Sequence, residues 1–132
     1  MHLGTNLRQI FGDDILAQVV QEDILTAPHD LWVVDGVRYI SEHEILAQVP
    51  DYYLLNITAP IELRWQRTRQ RQEKVDEATM TLAEFTEREH DKTEQQISAV
   101  QAQASFTINN TGSFQDLYNK IDQWLLNVRH IG

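Results

Sequence analysis

The sequence predicts an α/β layered fold in which parallel strands alternate with helices. Three short apolar runs point there: "LWVV" at 31–34, "YYLLNI" at 52–57 and "SFTIN" at 105–109. Segments of helical period separate them, and buried strands joined through helices need crossover connections and a parallel sheet. The composition, 42% hydrophobic and 23% charged, is that of a folded globular chain. A length of 132 residues suits a single domain over 1–132.

The elements follow in order. Leu3, Leu7, Ile10 and Phe11 share one helical face, as do Ile15, Leu16, Val19 and Val20, with Gly12 as the break between them. "TAPHD" reads as a loop, Pro28 opposing helix continuation. "LWVV" is ambiguous alone but resembles a strand covered on both faces. "SEHE" opens a helix in which Ser41 and Glu44 form a capping box, with Ile45, Leu46 and Val49 facing the core and Pro50 closing it. After the strand at 52–57, Pro60 suits the first turn of a helix, where its missing N–H costs nothing. "KVDEATM" lacks a period and reads as a loop, and Thr81 with Glu84 caps a polar helix through about Ala102. Beyond the strand at 105–109, "NTG" turns and Ser113 caps. Phe114, Leu117, Tyr118, Ile121, Trp124 and Leu125 mark the last helix.

Several functions are opposed by composition. Cysteine is absent, so there is no disulfide framework and no thiolate metal site. A formal charge of −9 opposes broad binding to nucleic acid, which needs surplus Lys and Arg at the contact face. No apolar stretch reaches about 18 residues and "MHLGTNLRQIFGDD" carries no signal-like core, so no membrane partner is expected and the expected location is cytoplasmic.

The residues with chemistry sit where strands should end. Ligands of open parallel sheets lie beyond the carboxyl ends of the strands. Asp35 follows "LWVV" there, a carboxylate suited to hydrated Mg²⁺ or to a reacting hydroxyl. Gly36 permits close backbone approach, and Arg38 offers a planar fork to a phosphate. The same "DGVR" would also serve as a turn with a surface arginine. "RWQRTRQRQEK" gathers Arg64, Arg67, Arg69, Arg71 and Lys74 into a basic island within an acidic chain, either a local anion site or a solvated helix face. "INNTGS" puts two asparagines and a glycine between a strand and a helix N-terminus, where backbone groups would read a purine edge or the sequence would simply turn the chain. His2, His29, His43, His90 and His130 show no metal-ligand spacing.

Read together, "VVDGVR", "YYLLNITAPIELRWQRTRQR", "TLAEFTERE" and "INNTGSFQDLYNKIDQWL" resemble the later part of the P-loop nucleotide kinases, dephospho-CoA kinase-like and nucleoside-monophosphate-kinase-like, over roughly residues 5–126. The resemblance implies a P-loop NTPase-like three-layer fold with residues 61–80 as a lid. It implies Asp35, Arg67 and Arg71 as catalytic residues, Asp35 standing near Mg²⁺ or the acceptor hydroxyl. Arg38 and Arg64 would contact phosphates, Asn110 and Gly112 would lie near the adenine, and ATP and Mg²⁺ would be the cofactors.

The departure from that pattern is the absence of any G-x-x-x-x-G-K-[ST]; neither Gly4 nor Gly12 is followed by Lys-Ser or Lys-Thr. The expectation is therefore an ATP-dependent phosphotransferase domain lacking its first strand and phosphate-binding loop, inactive as this chain. It would be either a piece of a longer kinase or a degenerate relative. The alternative is a non-catalytic interaction or regulatory module with residual nucleotide or anion binding. A lost central strand would leave 31–34 and 52–57 to pair with each other, with a second copy or with a partner's strand.

Overall fold

The computed structural model describes residues 3–27 and 29–131; His2, Pro28 and the side chain of His130 lie outside them. Among the described residues the elements run α1 (Leu3–Phe11), α2 (Ile15–Thr26), α3 (Ile40–Leu46), β1 (Leu55–Thr58), α4 (Ile61–Arg71), α5 (Leu82–Arg88), α6 (Lys92–Gln101), β2 (Phe106–Asn109) and α7 (Phe114–Ile131). This is an α/β fold. Contacts gather the chain into two units, one running to Leu54 and including Lys92–Ala104, the other holding Leu55–Asp91 and Ser105 onward.

The first unit is helical. α1 stops where Gly12 turns to a φ of 104°, a left-handed conformation that glycine adopts without a Cβ penalty. Its amide still reaches back to the Arg8 carbonyl at 2.9 Å. α2 packs on α1 and α3, and α6 packs on α3. Ala17, Leu46 and Val100 are buried there. With so few buried apolar side chains, polar ties carry more of the unit's definition than usual.

The second unit holds the sheet. β1 and β2 pair in parallel, Leu55 opposite Phe106 and Ile57 opposite Ile108. A two-stranded pair is marginal alone and needs a cover. α7 packs on β2, where Ile108 is buried, a contribution of about 1.5–3 kcal/mol. α4 packs with α5, and the Trp65 indole N–H donates to the Met80 carbonyl at 2.8 Å while the Met80 side chain is buried.

Local signals mostly hold. Thr81 Oγ1 accepts from the Glu84 amide at 3.2 Å, and the Glu84 carboxylate accepts from the Thr81 amide at 2.8 Å. Ser113 Oγ accepts from the Asp116 amide at 3.1 Å, with Asp116 reaching back at 3.0 Å. Residues 74–80 form turns rather than a helix, and Pro60 stands as the residue that introduces α4.

Four expectations need correction. Leu31–Val34 forms no strand; it joins no sheet ladder among the described residues, and Leu31 and Val33 are 53% and 83% exposed. Four apolar residues specify a buried strand only when neighbours cover both faces, and here Trp32 and Val34 are only partly covered. The sheet among the described residues accordingly has two strands, not three. The strand foreseen at 52–57 begins only at Leu55, because parallel pairing with Phe106 starts there. The long polar helix breaks after Arg88, where i to i−3 bonds at Glu89, His90 and Asp91 tighten the turn before α6 begins. Finally, the cap of α3 is not Ser41 with Glu44. The helix starts earlier, and Glu42 is the residue that reaches back.

Candidate functional site

Two regions carry the residues singled out above, one in each unit. In the first unit, Asp35, Gly36 and Arg38 lie on the exposed stretch that leads into α3. Gly36 has a φ of 80°, and a Cβ placed on it would meet no atom within 4 Å. The backbone is thus open to close approach at that point. Among the described residues, neither the Asp35 carboxylate nor the Arg38 guanidinium has a hydrogen-bond or ion-pair partner.

What holds this stretch is Glu42. One carboxylate oxygen accepts from the amides of Arg38 at 3.0 Å and Tyr39 at 3.3 Å. The other accepts from Arg8 Nη2 at 2.8 Å. Glu42 is only 5% exposed, so its charge depends on these donors. The Arg8 guanidinium lies over the Tyr39 ring, 4.9 Å from its centroid. Arg8 Nε is, among the described residues, the one buried side-chain nitrogen or oxygen without a protein partner.

In the second unit Arg64, Arg67 and Arg71 fall on one face of α4 by their spacing, with Arg69 turned away from it, yet all four forks are committed to the protein. Arg64 Nε donates to the Ala59 carbonyl at 2.8 Å, and both its terminal nitrogens pair with Glu89. Arg67 donates to the carbonyls of Asn110 at 2.6 Å and Gly112 at 3.1 Å. Arg69 donates to the Ala78 carbonyl and lies over the Trp65 ring. Arg71 pairs with Glu73 at 3.3 Å and with Glu77 at 3.2 Å. Asn110 and Gly112 therefore serve α4 through their carbonyls. Lys120 adds a donor to the Asn109 carbonyl at 2.8 Å, and the Asn110 amide returns to Thr58 at 2.7 Å. A Cβ on Gly112 would crowd the Asp116 carboxylate, which would have to shift to admit it.

Residues 61–80, expected as a lid, form α4 and a turn pinned by Glu77. That carboxyl is 3% exposed. Burial pushes it up, but the amides of Lys74 and Glu73 and the Arg71 guanidinium together hold it below the ordinary carboxylate range. Asp76 is held low chiefly by its hydrogen bond from Arg88. A cavity of ≈ 490 Å³ adjoins this turn, lined by Asp76, Glu84, Glu87 and Asp91 against the single cation Arg88, with Thr79 and Met80. Four carboxylates to one guanidinium make it repellent to phosphates.

For metals, no group of three or more His, Asp or Glu converges among the described residues. His43 Nδ1 stands 3.1 Å from the Tyr52 hydroxyl, whose pKa burial raises. No helix among the described residues is long and apolar enough to cross a membrane. Sequence reading missed Arg8 and Glu42 altogether. The signal for Glu42 was its place at the start of α3, which the neighbouring Ser41 and Glu44 obscured.

No protein-family model matches the chain. The chain is similar to a UPF0200/UPF0201 protein of Archaeoglobus fulgidus, 32% identical over 96% of this chain and 40% of the relative. It is also similar to a UPF0200 protein of Saccharolobus islandicus, 26% identical over 93% of this chain and 65% of the relative. A UPF0200 protein of Sulfurisphaera tokodaii is 23% identical over 97% of this chain and 70% of its own length. The chain thus spans 40% and 65% of the length of the first two. These relatives are named as UPF0200-type proteins, an uncharacterised group, and not as nucleotide kinases. The resemblance to P-loop nucleotide kinases is corrected accordingly: similarity over nearly the whole chain runs to UPF0200 proteins.

Proposed function

We propose that this chain is a phosphate-binding part of an ATP-dependent phosphotransferase, without turnover as this chain, and that its ligand docks on the Asp35–Arg38 stretch. The observation that carries this reading is the uncommitted Arg38 guanidinium. It is exposed beside the open backbone at Gly36, whereas every arginine of α4 already ends on a carbonyl or carboxylate. A free planar fork is the group that a phosphate recruits. Asp35 supplies one carboxylate. Mg²⁺ would therefore arrive on the phosphates of ATP, keeping water and phosphate oxygens as most of its ligands.

The test is a titration of pyrophosphate and of Mg²⁺–ATP followed by backbone NMR. Shifts at 35–39 that weaken in Arg38→Ala support the site; unmoved amides there, with or without shifts elsewhere, refute it. ATP turnover against a panel of hydroxyl acceptors is expected to be negligible, and robust turnover would overturn the inactive part of the reading.

A second reading is favoured by the exposed Leu31–Val34 segment: a non-catalytic interaction module whose apolar stretch pairs with a second copy or with a partner's strand. In that case the sheet would gain a strand on association. Sedimentation velocity over a range of concentrations separates the two, since a single species near 15.4 kDa throughout would count against self-pairing.

A further inference from the structure

We infer that Arg8 and Glu42 are positioning residues for the phosphate contact, holding the backbone of Arg38 in the conformation that presents its guanidinium. This rests on the reading of Arg38 as the phosphate-binding group. Glu42 is unusual in its connections. Its two oxygens divide between a cation on α1 and the two consecutive amides of Arg38 and Tyr39. No other side chain among the described residues is bonded to the Asp35–Tyr39 backbone. The stretch forms no sheet ladder and precedes the first turn of α3; apart from the His43 amide donating to the Tyr39 carbonyl, its backbone is tied by this one carboxylate.

Arg8 completes the device. Its side chain is 22% exposed, and its guanidinium meets Glu42 from one side and the Tyr39 ring from the other. It gives Glu42 the countercharge that burial demands and bounds Tyr39, the residue next to Arg38. A loop fixed in advance binds more tightly than one that must be ordered on binding. The pair thus acts on the ligand without touching it.

The experiment uses the full chain, pyrophosphate as probe, and Glu42→Gln, which keeps the size and one acceptor but removes the charge. Amide exchange at residues 38 and 39 is read without ligand, and the pyrophosphate Kd is read separately. Exchange at both amides should rise about tenfold, matching the loss of one charge-assisted hydrogen bond. Affinity should fall by about tenfold in the wild-type background but not in Arg38→Ala, because the effect acts through Arg38. An equal fall in both backgrounds would mean general destabilisation and would overturn the inference, as would unchanged exchange.

If Glu42→Gln does not fold, Arg8→Gln at the rim of the pair carries the same two readouts, and the same results support or overturn the inference. Failure of the underlying reading looks different: Arg38→Ala alone would leave the pyrophosphate Kd unchanged. That result refutes the phosphate contact, and with it any positioning role toward it.

Discussion

Arg38 and the arginines of α4 carry the same group in opposite situations. On α4, four guanidiniums lie within eight residues, and each is taken up by protein oxygens. On the stretch before α3, one guanidinium stands free, and it is the backbone beneath it that is tied down, through Glu42. A basic cluster attracts attention in a sequence because charge is visible there. What decides its use is whether the charge is already engaged. The α4 arginines act as clamps, closing the carbonyls of the loop after β2 and the ends of the 74–80 turn. Of these two regions, the stretch before α3 is the one with a fork to offer.

The largest expected effect breaks the α4 side of this contrast. Arg67→Ala removes two donors and leaves the Asn110 and Gly112 carbonyls without their partner. A hydrogen bond from a charged group is worth roughly 1.5–3 kcal/mol, and the exposed one to Gly112 counts for less than the part-buried one to Asn110, so urea unfolding should show a loss of about 2–4 kcal/mol. Pyrophosphate affinity of the remaining folded protein should be unaltered. A variant that kept its stability and lost affinity would reverse the assignment of the two regions.

A more local effect is expected from acid. Burial alone would raise the Glu77 carboxyl, yet its amide and Arg71 donors hold it low, and Arg88 holds Asp76 low. A carboxyl with a depressed folded pKa adds stability at pH above its unfolded value, near 4 for this class. That stability is lost as pH falls through the lower folded value. Order in the 74–80 turn should therefore persist at pH 5 and fail below about pH 4, reported by the Trp65 indole NMR signal, whose N–H rests on the Met80 carbonyl. Glu77→Gln should remove the Glu77 part of this dependence, leaving Asp76. A Trp65 signal equally pH-dependent in that variant would exclude Glu77 as a cause.

A smaller loss, about 1 kcal/mol, is expected from Thr81→Ala, since one capping acceptor goes while Glu84 can still reach the amide at residue 81. Thermal unfolding of the second unit would read it. This cap was legible in the sequence, as was that of α7, because capping is settled within four residues. The parallel order of β1 and β2 was legible too, since intervening helices leave few other connections.

Other features depended on distant residues and were not legible. Leu31–Val34 had the composition of a buried strand, but the cover that would make it one is not a property of those four residues. The spacing of Arg64, Arg67 and Arg71 pointed to a shared face, but the carbonyls that engage Arg67 lie 43 and 45 residues further on. Glu42 meets Arg8 across 34 residues. Local pattern places a charge on a face; only tertiary structure says whether that charge is satisfied.

The smallest effect sharpens the other side of the contrast. Arg38→Ala removes a side chain with no partner among the described residues, on an exposed stretch, while its amide keeps its bond to Glu42. Stability should change by no more than about 0.5 kcal/mol, the usual range for surface substitutions away from structural features. Arg67→Ala should show several times that loss. The opposite ranking should hold for pyrophosphate, where Arg38→Ala weakens binding and Arg67→Ala does not. Raising salt should weaken wild-type binding and leave Arg38→Ala nearly flat, since an exposed charge pair is screened over about 8 Å at 0.15 M. A substantial loss of stability in Arg38→Ala would mean that its guanidinium is engaged after all, and the distinction between engaged and free arginines would fail at the residue on which it depends.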